Sequence, residues 1–302
     1  MTLIAAYACK TATTVFSCPR YLRAVALSVC FILAYGSSAS AQLWAPSNIA
    51  TVAWFDASDL TTISTNAGGA VSEWRDKGSN SFHLSQGNAS AQPLSGVTNI
   101  NGLNVITADG VDDWLRSVSI TGYDSNVATF VVAEIANPVS DRADMLWEYR
   151  NTGFYGFRAN GGGSSGNFDG IIDPVGGSDL PLIGGPFFGP SIYNVNFDWS
   201  GGQIFNAYID GIKRSTNGNY TARPLGGFKL QLWINSPAVP ERYLDASIAE
   251  IIILDDMSQE TREIIEGYLA HKWGIQDQLP SNHRYKISPP YVQYEGTVIR
   301  LE

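Results

Sequence analysis

From Leu43 onward the chain is a succession of short apolar runs, cut at fairly even intervals by Gly, Asn, Asp and Pro. That rhythm leaves little room for long helices and fits an all-β sandwich. Strands read at Thr129–Ile135, Ile192–Phe197, Phe228–Ile234 and Ile248–Leu254. Asp109-Gly110 and Asp210-Gly211 mark two hairpins, because both central positions of a type I′ turn need positive φ. Ile248–Leu254 is almost continuously apolar and should be buried on both faces. Two other strands alternate. Phe228, Leu230, Leu232 and Ile234 fall on one side, with Lys229, Gln231 and Trp233 on the other. Likewise Tyr193, Val195 and Phe197 should point inward, with Asn194 and Asn196 outward. Between Gly161 and Pro190 a Gly/Pro-rich stretch with little periodicity reads as a long loop. One helix is expected near the C-terminus. Ser258 is its N-cap, Gly274 its stop, and Ile264, Ile265, Tyr268, Leu269 and Trp273 its apolar stripe.

Residues 1–41 differ in kind. They hold all three cysteines, three basic residues (Lys10, Arg20, Arg23) and no acid. The apolar run Ala24–Tyr35 is followed by small polar residues ending Ala39-Ser40-Ala41. This is the pattern of a secretory signal peptide cut after Ala41, and the run is too short to span a bilayer. The expected mature chain, 42–302, is one domain without cysteine and without a transmembrane segment. It carries 16 Lys and Arg against 28 Asp and Glu, a net −12. That balance repels phosphate backbones and disfavours nucleic acid as a partner. The absence of cysteine removes disulfides and thiolate metal sites.

At the helix a longer pattern emerges. Glu266-Gly267-Tyr268-Leu269-Ala270-His271-Lys272-Trp273-Gly274 is followed by Leu279-Pro280, His283, Tyr285-Lys286 and Pro289-Pro290. Upstream stand Trp54-Phe55-Asp56-Ala57-Ser58-Asp59, Trp74-Arg75-Asp76-Lys77-Gly78, Asn101-Gly102-Leu103 and Asp109-Gly110-Val111-Asp112-Asp113-Trp114-Leu115. Together they resemble secreted bacterial and phage-associated LamG-like domains of the concanavalin A-like lectin/glucanase superfamily. The resemblance runs from about Trp54 to Pro290. It departs at Arg284, where such domains often carry proline. It implies an all-β jelly-roll sandwich of two antiparallel sheets with one C-terminal α-helix. It also implies framework roles for Trp54, Trp74, Trp114 and Trp273. Many such domains are adhesive or sugar-binding, so a glycan or cell-surface polymer is the expected partner.

Catalytic constellations are not legible. The glucanase branch of that superfamily carries a Glu-x-Asp-x-(x)-Glu run, and none occurs here. Asp245, Glu250 and Asp255 are too widely spaced; Glu250 should pair with a buried partner or face a sheet surface. With three histidines and no Gly-x-Ser-x-Gly elbow, a triad or zinc site is disfavoured. Calcium is the cofactor to consider, with Asp112 and Asp113, or Asp169 and Asp173, as candidate ligands near loops. Asp beside Gly is equally the chemistry of a turn. For sugar binding an aromatic plate beside amides is needed. Trp233 with Gln231 and Asn235 is the first candidate, and Tyr155 with Arg158 the second. The expected function is therefore non-catalytic binding of a carbohydrate or surface polymer by an exported domain. Two alternatives stand: a structural component of an extracellular layer, and a divergent glycoside hydrolase.

Overall fold

Alternating strands can hide apolar side chains only by facing another layer, and here two sheets and a helix supply three. A computed structural model describes residues 42–123, 126–136, 143–150, 154–160, 167–173, 178–181, 189–198, 205–214, 227–234, 243–256 and 258–292. Among these, 143–144, 154–155, 159–160, 167–173 and 178–181 are described by backbone alone. In chain order the strands are β1 (Ala53–Asp56), β2 (Ile63–Thr65), β3 (Val71–Trp74), β4 (Leu84–Ser85), β5 (Leu94–Ile100) and β6 (Leu103–Asp109). Then come β7 (Leu115–Ser117), β8 (Asn126–Ile135), β9 (Ala143–Arg150), β10 (Phe154–Asn160), β11 (Asn167–Asp173) and β12 (Ser178–Pro181). The last are β13 (Ser191–Asp198), β14 (Phe205–Ile209), β15 (Ile212–Lys213), β16 (Lys229–Leu232) and β17 (Asp245–Leu254). Among the described residues one α-helix, α1 (Gln259–Lys272), follows.

The first sheet has eight strands in the order β15-β14-β13-β8-β17-β6-β5, with β1 added alongside β17. The second has nine, in the order β12-β11-β10-β9-β16-β7-β4-β3-β2. Every strand pairing is antiparallel. The protein is thus an all-β sandwich with one helix, as the strand rhythm predicts. Trp74, Trp147, Tyr149, Phe157, Tyr193, Phe197, Phe205 and Ile251 fill the core between the sheets. A second core lies under the helix, where Ile265, Leu269 and Trp273 pack on Phe130, Val132 and Ile252.

Strand β17 divides its side chains between these two cores. Ala246, Ile248, Ile251 and Ile253 enter the first; Ala249, Ile252 and Leu254 enter the second. A bulge at Ala249 sits where the partner on one edge changes from β6 to β1. Beyond the bulge Glu250 turns toward the helix and is fully buried. Its carboxylate accepts from Trp54 Nε1 at 2.8 Å, Trp273 Nε1 at 2.7 Å, Tyr268 Oη at 3.0 Å and Lys272 Nζ at 2.7 Å. Lys272 also meets Asp56 at 2.8 Å, and Asp56 meets Lys77 at 3.0 Å. Burial pushes the Asp56 carboxyl up, but Lys272, Ser58 and Lys77 more than offset it and hold the group below its ordinary value.

The remaining signature residues are also structural. Asp76 accepts from the amides of Trp54, Gly78 and Phe82. Glu266 is clasped by Arg262 at 2.8 Å and His283 at 3.1 Å. His271 bonds the Tyr285 carbonyl at 2.8 Å. Ser258 caps the helix by accepting from the Thr261 amide, and Gly274 beyond its end has φ +67°. Gly267 sits within α1 because the Tyr285 side chain lies against it.

Several sequence expectations are corrected. Asp210-Gly211 is the expected tight turn, with φ of 52° and 75° between β14 and β15. Asp109-Gly110 is not a hairpin: β6 belongs to the eight-stranded sheet and β7 to the nine-stranded one, so the turn carries the chain between layers. The Gly161–Pro190 stretch is not one long loop, because β11 and β12 lie in it and extend the larger sheet. Asn194 and Asn196 are on the face opposite the inter-sheet core, as expected, but are buried there; Asn194 donates to the Thr129 carbonyl. Trp114 is half-buried and belongs to neither core.

Replacing glycine by alanine within a helix ordinarily stabilises it, by up to about 1 kcal/mol. Here a Cβ at position 267 would lie 2.4 Å from Tyr285 Cβ. Gly267→Ala is therefore expected to destabilise by ~1–3 kcal/mol in urea unfolding. A stabilised variant would contradict the docking of the C-terminal segment on α1.

Candidate functional site

The outer face of the nine-stranded sheet, away from both cores, carries a continuous row of polar positions. Strand register sets it. Glu73 of β3 stands opposite Ser85 of β4, and Ser85 opposite Arg116 of β7. Arg116 stands opposite Gln231 of β16, Gln231 opposite Glu148 of β9, and Glu148 opposite Gly156 of β10. Alternation produces the row, since the neighbours Leu115, Leu230, Leu232, Trp147 and Tyr149 point into the inter-sheet core. Six strands at about 4.8 Å make a track of roughly 24 Å.

At its centre the row is tightly bonded. Arg116 Nε donates to Gln231 Oε1 at 2.8 Å, and Gln231 Nε2 donates to Glu148 Oε1. Arg150 approaches the same Glu148 oxygen at 3.3 Å. The other oxygen, Oε2, is buried and has no hydrogen-bond partner. Gln231 and Glu148 are both fully buried. Burial outweighs the attraction of Arg150, Gln231 and Arg116 and pushes the Glu148 carboxyl up to about 8. Trp114, two residues before Arg116 and on its face, lies 4.9 Å from the Arg116 guanidinium. Lys229 is exposed and stands opposite Arg150. Gly156 keeps the row narrow: a Cβ there would fall 2.3 Å from the Trp147 carbonyl oxygen.

The sequence-derived candidates distribute unevenly over this face. Gln231 is central to it. Arg158, half-buried, follows Gly156 by two residues on β10 and so shares its side. Tyr155 occupies the alternate position of β10, in register with Tyr149. Asn235 lies outside the described residues. Trp233 is not a surface plate. Its backbone is left-handed, φ 61°, which breaks the strand alternation and turns the ring into the inter-sheet core, fully buried. The aromatic of this face is Trp114, which the resemblance had placed in the framework. Glu148, Arg116 and Arg150 were not singled out from sequence, though the alternation in Leu146-Trp147-Glu148-Tyr149-Arg150 carries the signal.

The acidic candidates also separate. Asp169 and Asp173 are four residues apart on one strand, β11, so their backbones are about 13 Å apart and they cannot share one ion. Asp112 and Asp113 instead meet Asp109, with carboxylate oxygens of all three within 4.8 Å. Such oxygens suit calcium in kind. Two of them already serve the turn, Asp109 accepting from the Val111 amide at 2.8 Å and Asp113 from the Asp109 amide at 3.1 Å. Burial, with Asp109 and Asp112 nearby, pushes Asp113 up to about 6. A cavity of about 440 Å³ adjoins this cluster, lined by Asp109, Asp113, Asp245 and Gln92.

No family model matches the chain, and no curated protein matches it. Solved structures do. A sialidase of Trypanosoma rangeli in complex with sialic acid aligns with a TM-score of 0.53 at 10% identity, over 78% of this chain and 36% of that one. The ligand-binding domain of botulinum neurotoxin serotype D, in complex with N-acetylneuraminic acid, aligns with a TM-score of 0.51 at 11% identity, over 72% of this chain and 50% of that one. This chain thus spans about a third to a half of the length of these two structures. At these identities the likeness is one of fold. No helix among the described residues is long and apolar enough to cross a membrane.

Glu148 yields a test by titration. Its folded pKa lies above its ordinary 4.5, so the folded state holds a proton that the unfolded chain has released. Its contribution is complete below pH 4.5 and is lost as pH rises to about 8. The expected loss is on the order of a few kcal/mol. Glu148→Gln should remove most of that fall when urea unfolding is followed from pH 5 to 9. An unchanged pH dependence would place the proton elsewhere.

Proposed function

We propose that this is an exported, non-catalytic β-sandwich that binds a hydroxyl-rich glycan along the polar row of the nine-stranded sheet. The carrying observation is the row itself: polar positions in register across several strands, where the buried Gln231–Glu148 pair braces Arg116 beside Trp114 and the exposed Lys229. A sugar chain needs such donors and acceptors for its hydroxyls and a ring for its apolar faces. The likeness to a sialidase and a toxin domain, both solved with sialic acid, supports a glycan as ligand. The LamG-like resemblance supports it independently, and the leader-like residues 1–41 support export.

Binding is favoured over hydrolysis by carboxyl spacing. Glycosidases place two carboxyl groups about 5 to 9.5 Å apart. Along this row Glu148 and Glu73 are four strand spacings apart, about 19 Å. In affinity electrophoresis against a panel of polysaccharides, at least one should retard the protein without release of reducing sugar. Trp114→Ala should weaken that binding roughly five-fold or more. A folded protein that no glycan retards would sink the reading.

A further inference from the structure

The cations of this face are more numerous than neutral sugar hydroxyls require. The chain carries a formal charge of −9, yet Arg116, Lys229 and Arg150 gather around Gln231 on three adjacent strands. Arg116 commits Nε to Gln231, stacks near Trp114, and has no acceptor for its terminal nitrogens among the described residues. Those two nitrogens are the pair that meets a carboxylate bidentately. Burial and the proximity of Arg150 lower the Arg116 pKa and Glu148 offsets them only in part, so an anion arriving there stabilises its charge. Lys229, two residues from Gln231 on the same side of β16, is exposed. The acid beneath them does little to neutralise the group, since burial keeps Glu148 protonated at neutral pH. The outlying Glu73 is engaged by Arg75 at 3.3 Å.

Resting on the glycan reading, we propose that this face selects acidic polysaccharides. The terminal nitrogens of Arg116 and the ammonium of Lys229 take a carboxylate of the sugar chain, while the buried Gln231–Glu148 pair braces Arg116 from beneath. A net-negative protein repels a polyanion as a whole, so such binding requires a local cationic site and cannot arise from bulk charge.

The test compares polygalacturonate with its methyl ester, which keeps the sugar backbone and removes the charge. Affinity electrophoresis and calorimetry on the full chain should show the acid bound about tenfold or more tightly than the ester, with the preference fading at high salt. Arg116→Gln and Lys229→Gln should each bring the acid close to the ester, and Lys213→Gln, a cation of the other sheet, should change nothing. Lys229 is exposed, so that variant reports even if Arg116→Gln folds poorly. Equal affinity for acid and ester, or an acid preference that survives both substitutions, would overturn the inference and leave glycan binding standing. Binding of neutral glycans alone would do the same. Failure to bind any polysaccharide would overturn both readings.

Discussion

The carboxylate of Glu250 is the point on which the helix, β1 and β17 all depend. A charged group wholly removed from water is tolerable only when nearly every lone pair is met. Here two indoles, a phenol and an ammonium meet it, drawn from β1, α1 and the cap of α1 at Trp273. Removing any one donor leaves the others holding an under-bonded acid, so the four residues stand or fall together. The bulge at Ala249 brings Glu250 to the helix side without breaking the run of isoleucines that fills both cores. Position, charge and packing are thereby settled by one backbone irregularity.

This explains what the long sequence signature is for. Trp54, Asp56, Lys77, Tyr268, Lys272 and Trp273 converge on one buried cluster of charges. Glu266, Gly267, His283 and Tyr285 fasten the C-terminal segment to the helix. The residues that make the chain recognisable hold the scaffold. The polar row lies on the far face of the other sheet and shares only Trp114 with that signature. A resemblance carried by such a signature speaks first for architecture and names no particular ligand, in keeping with the weak link between fold and function.

The architecture was largely legible because strand alternation and helix capping are local. Thr129–Ile135, Ile192–Phe197 and Ile248–Leu254 lie within β8, β13 and β17, and Ser258 and Gly274 bracket the helix. What failed was decided by single dihedrals or by long-range pairing. One left-handed residue at Trp233 reversed the side on which its ring lies. Asp109-Gly110 announced a turn, but an Asp-Gly pair cannot say whether the next strand joins the same sheet. Glu148, Gln231 and Arg116 come from three strands far apart in sequence, so their meeting required the register of β7, β16 and β9. Gln231 was visible as a polar position on an alternating strand; its partners were not.

The span between Trp54 and Glu250, 196 residues, has a kinetic side. The first strand must wait for the last before its indole finds an acceptor, and the isoleucine-rich β17 remains bare until α1 arrives behind it. Long-range closure of this kind is slow, and an uncovered apolar strand is adhesive in the interval. Such a chain is best kept unfolded until complete and then allowed to collapse at once.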